Sequence, residues 1–166
     1  MSAERIQYEN IPARPERNIP GDSETSSRDG LLIDVNRLIA LTERHPVVRR
    51  PVSEFMHRLD VDCWSDSHER PFTPRTLIAL LMEQGEERVR VSHPEYARHI
   101  EKIMRADYSQ PLHVYGDWLI NGTHRLAKLA LARERGETTQ DFLTVKELRE
   151  IPKETILRTD FTLDSE

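Results

Sequence analysis

Two short apolar segments, joined by a tight turn and followed at once by a helix, set the strongest condition on the fold of this chain. Leu112–Tyr115 and Trp118–Ile120 are β-favouring, and Gly116-Asp117 between them is a typical hairpin turn. Asn121-Gly122-Thr123 then makes the corner into a helix predicted over residues 124–135. A glycine turn that opens a helix can also bind an anion, so this stretch bears on function as well as on fold.

The rest of the chain mixes helices with short strands. Asp34 and Thr73 are good N-cap residues, and Gly85 stands where the helix after Thr73 should end. The other predicted elements are helices beginning at Val35, Pro74 and Pro94, strands over 47–55, 89–91 and 142–145, a loop over 60–71 and a short terminal helix over 146–150. The predicted fold class is therefore α+β, with a compact mixed sheet and flanking helices.

The first 29 residues differ in composition from the rest. Apolar side chains are sparse, prolines recur, and the run from Asp22 to Asp29 is polar. Such a segment cannot bury enough surface to offset the entropy lost on ordering. We therefore predict a flexible tail over residues 1–29 and a single domain over residues 30–166. A tail that docks on a partner is the alternative.

The composition restricts the class of protein. Lys and Arg number 24 and Asp and Glu number 29, a net charge of −5, which argues against a protein that coats DNA non-specifically. No apolar run approaches the roughly 18–20 residues of a membrane span, so no membrane partner is expected. The N-terminus shows no secretory signal and Cys63 is the only cysteine, so we predict a cytoplasmic protein without an internal disulfide.

The start of the helix after Asn121 is the predicted ligand site. The first turn of a helix presents unpaired N–H groups and a partial positive charge, which suit a phosphate or a carboxylate. The residues predicted to hold phosphate groups are Gly122, Thr123, His124, Arg125 and Lys128. A structural interpretation stays open beside this one, because Asn-Gly is a common turn and threonine often only caps a helix.

No metal site is predicted. The acidic loop over 60–71 holds one cysteine and one histidine without the paired spacing of a zinc site, and it lacks the glycine and the last glutamate of a calcium loop. Of the seven histidines only His124 falls in a motif. Trp64 and Trp118 are expected in the core or at its rim.

The stretch from Arg50 to Ile151 resembles the ParB/sulfiredoxin-like superfamily. The likeness is clearest in Pro111-Leu112-His113-Val114 followed by Trp118–Lys128, which have the family's spacing. In that superfamily a strand, a D-G-x-H-R-like turn and a helix form a nucleotide-phosphate site. The resemblance implies a small domain of this type that binds a nucleotide at Asn121–Arg125.

Departures from the family's patterns narrow the implied activity. Sulfiredoxins carry the catalytic cysteine where this chain has Thr123, so their chemistry is not expected. The chain continues for 166 − 150 = 16 residues after Glu150, which is too short for the helix-turn-helix domain of the partition proteins. The free-serine kinases of the superfamily are the most similar in chemistry.

In those kinases, the Asp of the motif and an upstream Glu serve the transferred proton and the substrate. The matching positions here are Asn121 and Glu54. An amide takes up no proton near neutral pH, so Glu54 or Asp117 would be the carboxylate nearest the chemistry. His124 and Arg125 would support the transfer together with Mg²⁺.

We therefore predict a nucleotide-binding protein that uses ATP or ADP with Mg²⁺. It would transfer phosphate to a small hydroxyl-bearing metabolite or hydrolyse the nucleotide. The candidate catalytic residues are Glu54, Asp117, Asn121 and His124. The alternative is a non-catalytic module, regulated by nucleotide, that binds DNA or a protein partner.

Overall fold

The structure, a computed structural model, describes residues 25–28 and 30–158. Its elements confirm the α+β class. The helices are α1 (Val35–Leu41), α2 (Pro74–Gln84), α3 (Glu86–Ser92), α4 (Ala97–Arg105) and α5 (Thr123–Glu134), with short 3₁₀ helices at Val52–Glu54, Met56–Asp60, Pro94–Tyr96 and Lys153–Thr155. The strands are β1 (Thr25–Arg28), β2 (Leu31–Asp34), β3 (Val48–Pro51), β4 (Trp64–Ser65), β5 (Pro71–Phe72), β6 (Leu112–Tyr115), β7 (Trp118–Asn121), β8 (Phe142–Leu148) and β9 (Ile156–Arg158).

The chain forms two compact units and passes between them several times. Of the described residues, unit one holds those up to Val48, Leu112–Asn121, and those from Val145 on; unit two holds Arg49–Pro111 and Gly122–Thr144. The single domain over residues 30–166 stays a prediction. Within the described ranges, none of the helices has the length and apolar character needed to cross a membrane.

Unit one contains strands from two sheets. β1, β2 and β9 form an antiparallel sheet in that order. β6 and β7 form the predicted hairpin, and Gly116 in its turn has a φ of +57°, which glycine adopts without strain. β6 also pairs in parallel with the later part of β8, with Leu112 opposite Val145. The buried residues of one core cluster are Ile33, Val35, Leu38, Trp118, Ile120 and Leu148.

Unit two is mainly helical. The predicted caps of α2 are confirmed, because the Thr73 side chain accepts a hydrogen bond from the Thr76 amide and Gly85 ends the helix with a φ of +84°. α5 packs against α2, α4 and the 3₁₀ helix Met56–Asp60. Its buried residues are Leu126, Ala127, Leu129, Ala130, Leu131 and Ala132. α5 is therefore the element that fixes the position of the predicted site.

The larger sheet is mixed, in the order β3-β8-β6-β7. β3 lies at one edge, where the missing N–H of Pro51 costs no ladder hydrogen bond. It covers Val48–Pro51, so the predicted strand over 47–55 is too long. The chain after Pro51 turns into the 3₁₀ helix Val52–Glu54.

The strand predicted over residues 89–91 is wrong, because these residues lie inside α3. Val89 is fully buried while Val91 is 82% exposed. Arg90 pairs with Glu86 one turn earlier, through an Nη2–Oε1 distance of 2.9 Å. Three residues are too few to separate a helical from a strand period.

The terminal helix predicted over residues 146–150 is also wrong. β8 continues to Leu148, because β6 offers a parallel partner to each residue from Val145 onward. The buried Lys146 reinforces this path, since its Nζ donates to the carbonyl oxygens of Thr42 at 2.8 Å and Glu43 at 3.0 Å. Tertiary pairing overrides the helical propensity of Lys-Glu-Leu.

Two predicted irregular segments contain strands. Residues 25–28 of the predicted tail form β1, because Leu31–Asp34 provides an antiparallel partner. The remainder of the predicted tail, residues 1–24 and 29, lies outside the described residues. Within the loop predicted over 60–71, β4 and the first residue of β5 pair, with Trp64 opposite Phe72.

Candidate functional site

α5 begins at a glycine whose backbone conformation other residues rarely adopt. Gly122 has a φ of +118°, and an added Cβ would be strained there. No side chain caps the helix at this end, so the amide N–H groups of the first turn are not satisfied in that way. The backbone thus has the form of a helix start that can receive an anion.

Arg125 lies in the first turn of α5 and is partly buried. Its Nη1 donates to the Pro111 carbonyl oxygen at 3.0 Å. Among the described residues this oxygen is its one hydrogen-bond acceptor, so its Nε and Nη2 groups remain for another acceptor. Burial lowers the pKa of Arg125, and the Asp107 carboxylate opposes that effect; an arginine nevertheless stays charged at neutral pH.

His124, next to Arg125, is hydrogen-bonded to a second histidine. His124 Nε2 lies 3.0 Å from His99 Nδ1 on α4, and His99 Nε2 lies 2.8 Å from the Ser65 carbonyl oxygen. The chain of contacts thus runs from α5 through α4 to β4. His99 carried no motif in the sequence.

The Ser65 carbonyl fixes the direction of both hydrogen bonds. A carbonyl oxygen only accepts, so His99 Nε2 carries the hydrogen. In a neutral His99 the Nδ1 atom is then the acceptor, and His124 Nε2 donates to it. His124 Nδ1 is left with a lone pair, and it has no hydrogen-bond partner among the described residues.

Both histidines are held neutral. The pKa of His99 is lowered to about 4, mainly by burial; the hydrogen bond to the Ser65 carbonyl acts against burial, and the nearby Lys102 and Arg98 cations act with it. Burial also lowers the pKa of His124 well below its usual value, followed by the charges of His99, Lys102, Arg125 and Arg98. All the neighbouring charged groups that shift the pKa values of these two rings are therefore positive.

Trp64 supports both imidazole rings. Its ring stacks on His124 at a centroid distance of 4.4 Å and on His99 at 4.7 Å, with interplanar angles of 13° and 20°. Phe72 closes the cluster with its ring edge-on to Trp64 and to His99. Trp64 is 6% exposed and Trp118 is 7% exposed, which confirms that both belong to the core. We call Trp64, Phe72, His99 and His124 the aromatic cluster.

Lys128 has a structural position. Its Nζ donates to the carbonyl oxygens of Met104 at 2.8 Å and Ala106 at 2.6 Å. These carbonyls lie at the C-terminal end of α4, where a cation offsets the unpaired acceptors and the negative end of the helix dipole. Two of its three N–H groups are therefore used within the protein.

Asn121 and Asp117 lie in unit one, where each has a partner. The Asn121 amide nitrogen is 3.2 Å from His113 Nδ1, directly across the β6–β7 hairpin. The Asp117 carboxylate accepts hydrogen bonds from Arg28 at 2.8 and 3.0 Å, with 83% of its side chain exposed. The first contact connects β6 with β7, and the second connects β1 with the turn between them.

Glu54 lies beside the other end of α5. Its carboxylate accepts a hydrogen bond from Arg50 Nε at 2.6 Å. Its neighbours Ser53 and Met56 line a surface cavity of about 530 Å³ together with residues of α5 that include Arg133. Arg133 lies nine positions after His124 in α5, which corresponds to a rise of about 13 Å along the helix. The structure therefore brings the segment of Glu54 to the C-terminal half of α5, away from its first turn.

The described residues hold no group of three or more His, Cys, Asp or Glu side chains that could bind a metal ion. Mg²⁺ usually needs fewer protein ligands, since substrate phosphates and water complete its shell. The described residues therefore offer no metal centre built from three protein ligands, and a nucleotide-bound Mg²⁺ stays a prediction.

Of the predicted phosphate-holding residues, Gly122, Thr123, His124 and Arg125 lie together at the start of α5. No sequence pattern indicates His99 or the Ser65 carbonyl, which act through His124. Only His93-Pro94 and the apolar spacing of α4 are visible in the sequence, and neither indicates that His99 faces another histidine. Comparison with protein-family models, with curated proteins and with solved structures finds no match to this chain.

Proposed function

We propose that this protein binds a nucleoside triphosphate at the start of α5 and transfers its terminal phosphoryl group to a small hydroxyl compound, as a member of the ParB/sulfiredoxin-like superfamily. The observation that supports this most is Arg125, which keeps unused N–H groups in the first turn of a helix without a side-chain cap. A guanidinium with unused donors in the same helical turn as uncapped amide groups is a favourable receptor for phosphate oxygens.

The surrounding charge supports the same ligand. Arg98 and Lys102 on α4 act on the histidine pair together with Arg125, so the environment of the first turn is positive. Phosphoryl transfer depends mainly on positioning and on neutralising charge on the phosphates. In this proposal Arg98, Lys102 and Arg125, together with Mg²⁺, neutralise the charge on the phosphates.

Calorimetric titration of the whole chain with ATP, ADP, CTP and GTP in the presence of Mg²⁺ tests the proposal. Arg125→Ala should weaken the affinity about ten- to a hundredfold, the usual effect of losing hydrogen bonds to a charged group. Arg133→Ala, an exposed arginine of the same helix, is the matched control and should change it less than twofold. Absence of binding to all four nucleotides, or equal affinities of wild type and Arg125→Ala, would overturn the proposal.

A second candidate is a non-catalytic module that binds nucleotide and then DNA or a protein. The partners of Asn121, Asp117 and Glu54 favour it, because each of these candidate catalytic residues has a structural contact. Under this function nucleotide binds without turnover. DNA binding would show an affinity that falls steeply with salt, whereas salt-independent or absent binding would leave only a protein partner.

A further inference from the structure

We infer that His99 is a positioning residue that holds His124 in the tautomer whose Nδ1 accepts the proton of the substrate hydroxyl. This inference rests on the proposed function and assigns a role to each member of the histidine pair. His124 was predicted both to hold phosphate groups and to be catalytic, and the inference retains only the catalytic role.

The tautomer decides what His124 can bind. Its Nε2–H group is already donated to His99, 3.0 Å away, and its Nδ1 offers only a lone pair. Phosphate oxygens of a nucleotide are acceptors at neutral pH, so they gain nothing from a second acceptor. A hydroxyl group offers a hydrogen and fits Nδ1.

The other candidate proton acceptors are engaged elsewhere. Asp117 accepts two hydrogen bonds from Arg28, and Glu54 accepts one from Arg50. Asn121 has no basic atom. His124 is next to Arg125 in the chain, and its Nδ1 has no hydrogen-bond partner among the described residues.

The hydroxyl oxygen attacks the γ-phosphorus of the nucleoside triphosphate, and the new O–P bond forms while the bond to the β,γ-bridging oxygen breaks; Mg²⁺, when bound, would neutralise charge on the phosphates. The nucleoside diphosphate leaves with that electron pair. The hydroxyl proton passes to His124 Nδ1 and afterwards to solvent. The imidazolium so formed keeps its Nε2–H bond to His99, now strengthened by charge.

Burial, together with the positive surroundings, keeps the acceptor atom Nδ1 of His124 unprotonated between turnovers. Burial and the charges of Arg98 and Lys102 on α4 and of Arg125 on α5 lower the pKa of His124, so Nδ1 has its lone pair at neutral pH. A weakly basic acceptor suffices for a loose phosphoryl-transfer transition state, as the catalytic Asp of protein kinases shows. His99 faces the same cations.

Nitrogen NMR of the whole chain labelled with ¹⁵N-histidine tests the tautomer. We expect His124 to show a protonated Nε2 and an unprotonated Nδ1 from pH 6 to pH 8. His99→Phe keeps a ring on Trp64 but removes the acceptor, and it should convert His124 to a mixture of tautomers. His99→Gln supplies an amide oxygen and should restore the Nε2–H form in part. A protonated Nδ1 in the wild-type protein would overturn the inference.

Turnover separates this inference from the proposed function. Release of inorganic phosphate from ATP and Mg²⁺, with water as the hydroxyl acceptor, is measured beside nucleotide affinity in the same variants. His99→Phe should lower turnover at least tenfold at an affinity within twofold of wild type, and His99→Gln should recover part of the rate. The exposed His68 provides the control His68→Phe, which should match wild type.

Three results are distinguishable. Equal turnover of wild type and His99→Phe, with nucleotide bound by both, overturns the inference and leaves nucleotide binding intact. Wild-type protein that binds no nucleotide overturns the proposed function and the proton-acceptor role with it. Reduced turnover in His99→Phe with partial recovery in His99→Gln supports both.

Discussion

His124 and His99 share one hydrogen atom, on the line of 3.0 Å between Nε2 of the first and Nδ1 of the second. Their rings lie at an interplanar angle of 13° and both stack on Trp64. The Ser65 carbonyl sets the polarity of the whole chain of contacts, so a backbone atom of β4 determines which nitrogen of a helix residue is basic.

The histidine pair should make stability depend on pH. The pKa of His99 is lowered to about 4 and that of His124 is lowered as well. Below pH 6.5 both histidines are therefore more protonated in the unfolded chain than in the folded chain. The contribution of the two histidines to the free energy of unfolding is fully present above pH 6.5. It falls as the pH drops toward 4, by up to about 1.4 kcal/mol per pH unit for each histidine. Urea unfolding at pH 7 and pH 5 measures the loss, which should be smaller in His99→Phe than in His68→Phe. An equal loss in both variants would contradict this assignment.

Gly122→Ala should destabilise the fold. The φ of +118° is strained for any residue with a Cβ, and the expected cost is about 1–3 kcal/mol. Thermal unfolding of the variant beside wild type gives the difference. Gly136→Ala is a comparison at another glycine with positive φ, +71°, at the opposite end of α5 and with open space around it. A variant of Gly122 as stable as wild type would show that this turn relaxes.

Lys128→Met should affect stability more than nucleotide affinity. The ammonium satisfies two carbonyls at the end of α4, and its loss should cost about 1–3 kcal/mol. Its nucleotide affinity should stay within threefold of wild type, whereas Arg125→Ala should lose much more. Denaturant unfolding and calorimetry on the same sample decide, with the exposed Lys153→Met as control. An affinity loss as large as that of Arg125→Ala would return Lys128 to the phosphate site.

Trp64→Leu should loosen the aromatic cluster. Both imidazole rings lose their stacking surface and a cavity opens beside Phe72, so the expected destabilisation is about 3 kcal/mol. The histidine NMR signals should broaden or change tautomer in the same variant. Trp64→Phe, which keeps a ring, should lose less. Unchanged histidine signals in Trp64→Leu would show that the hydrogen bonds alone hold the pair.

The elements whose formation depends on neighbouring residues in the chain could be predicted from the sequence. The caps of α1 and α2, the Gly116 turn and the helix after Gly122 follow from residues that act on the backbone next to them in sequence. The strand at 146–148 could not be predicted in this way, because its partner β6 lies some thirty residues earlier in the chain. A helix-forming run such as Lys-Glu-Leu becomes a strand where a sheet edge offers it hydrogen bonds.

The candidate site divides in the same way. Gly122, Thr123 and Arg125 are adjacent in sequence and could be found by motif. His99 lies 25 positions before His124, and Ser65 lies 34 positions before His99, so no spacing rule connects the three residues. The predicted phosphate role of Lys128 has a structural alternative for a similar reason, since its acceptors lie on α4, more than 20 positions away.

The way the chain alternates between its two units has a consequence for protein engineering. Neither unit is a continuous stretch, and the boundary at Val145 falls inside β8. No single cut or pair of termini therefore releases either unit as an intact fragment, and a truncation series would split a strand before it isolated a domain. Work on separate pieces of this protein calls for circular permutants or split-protein complementation rather than conventional deletion fragments.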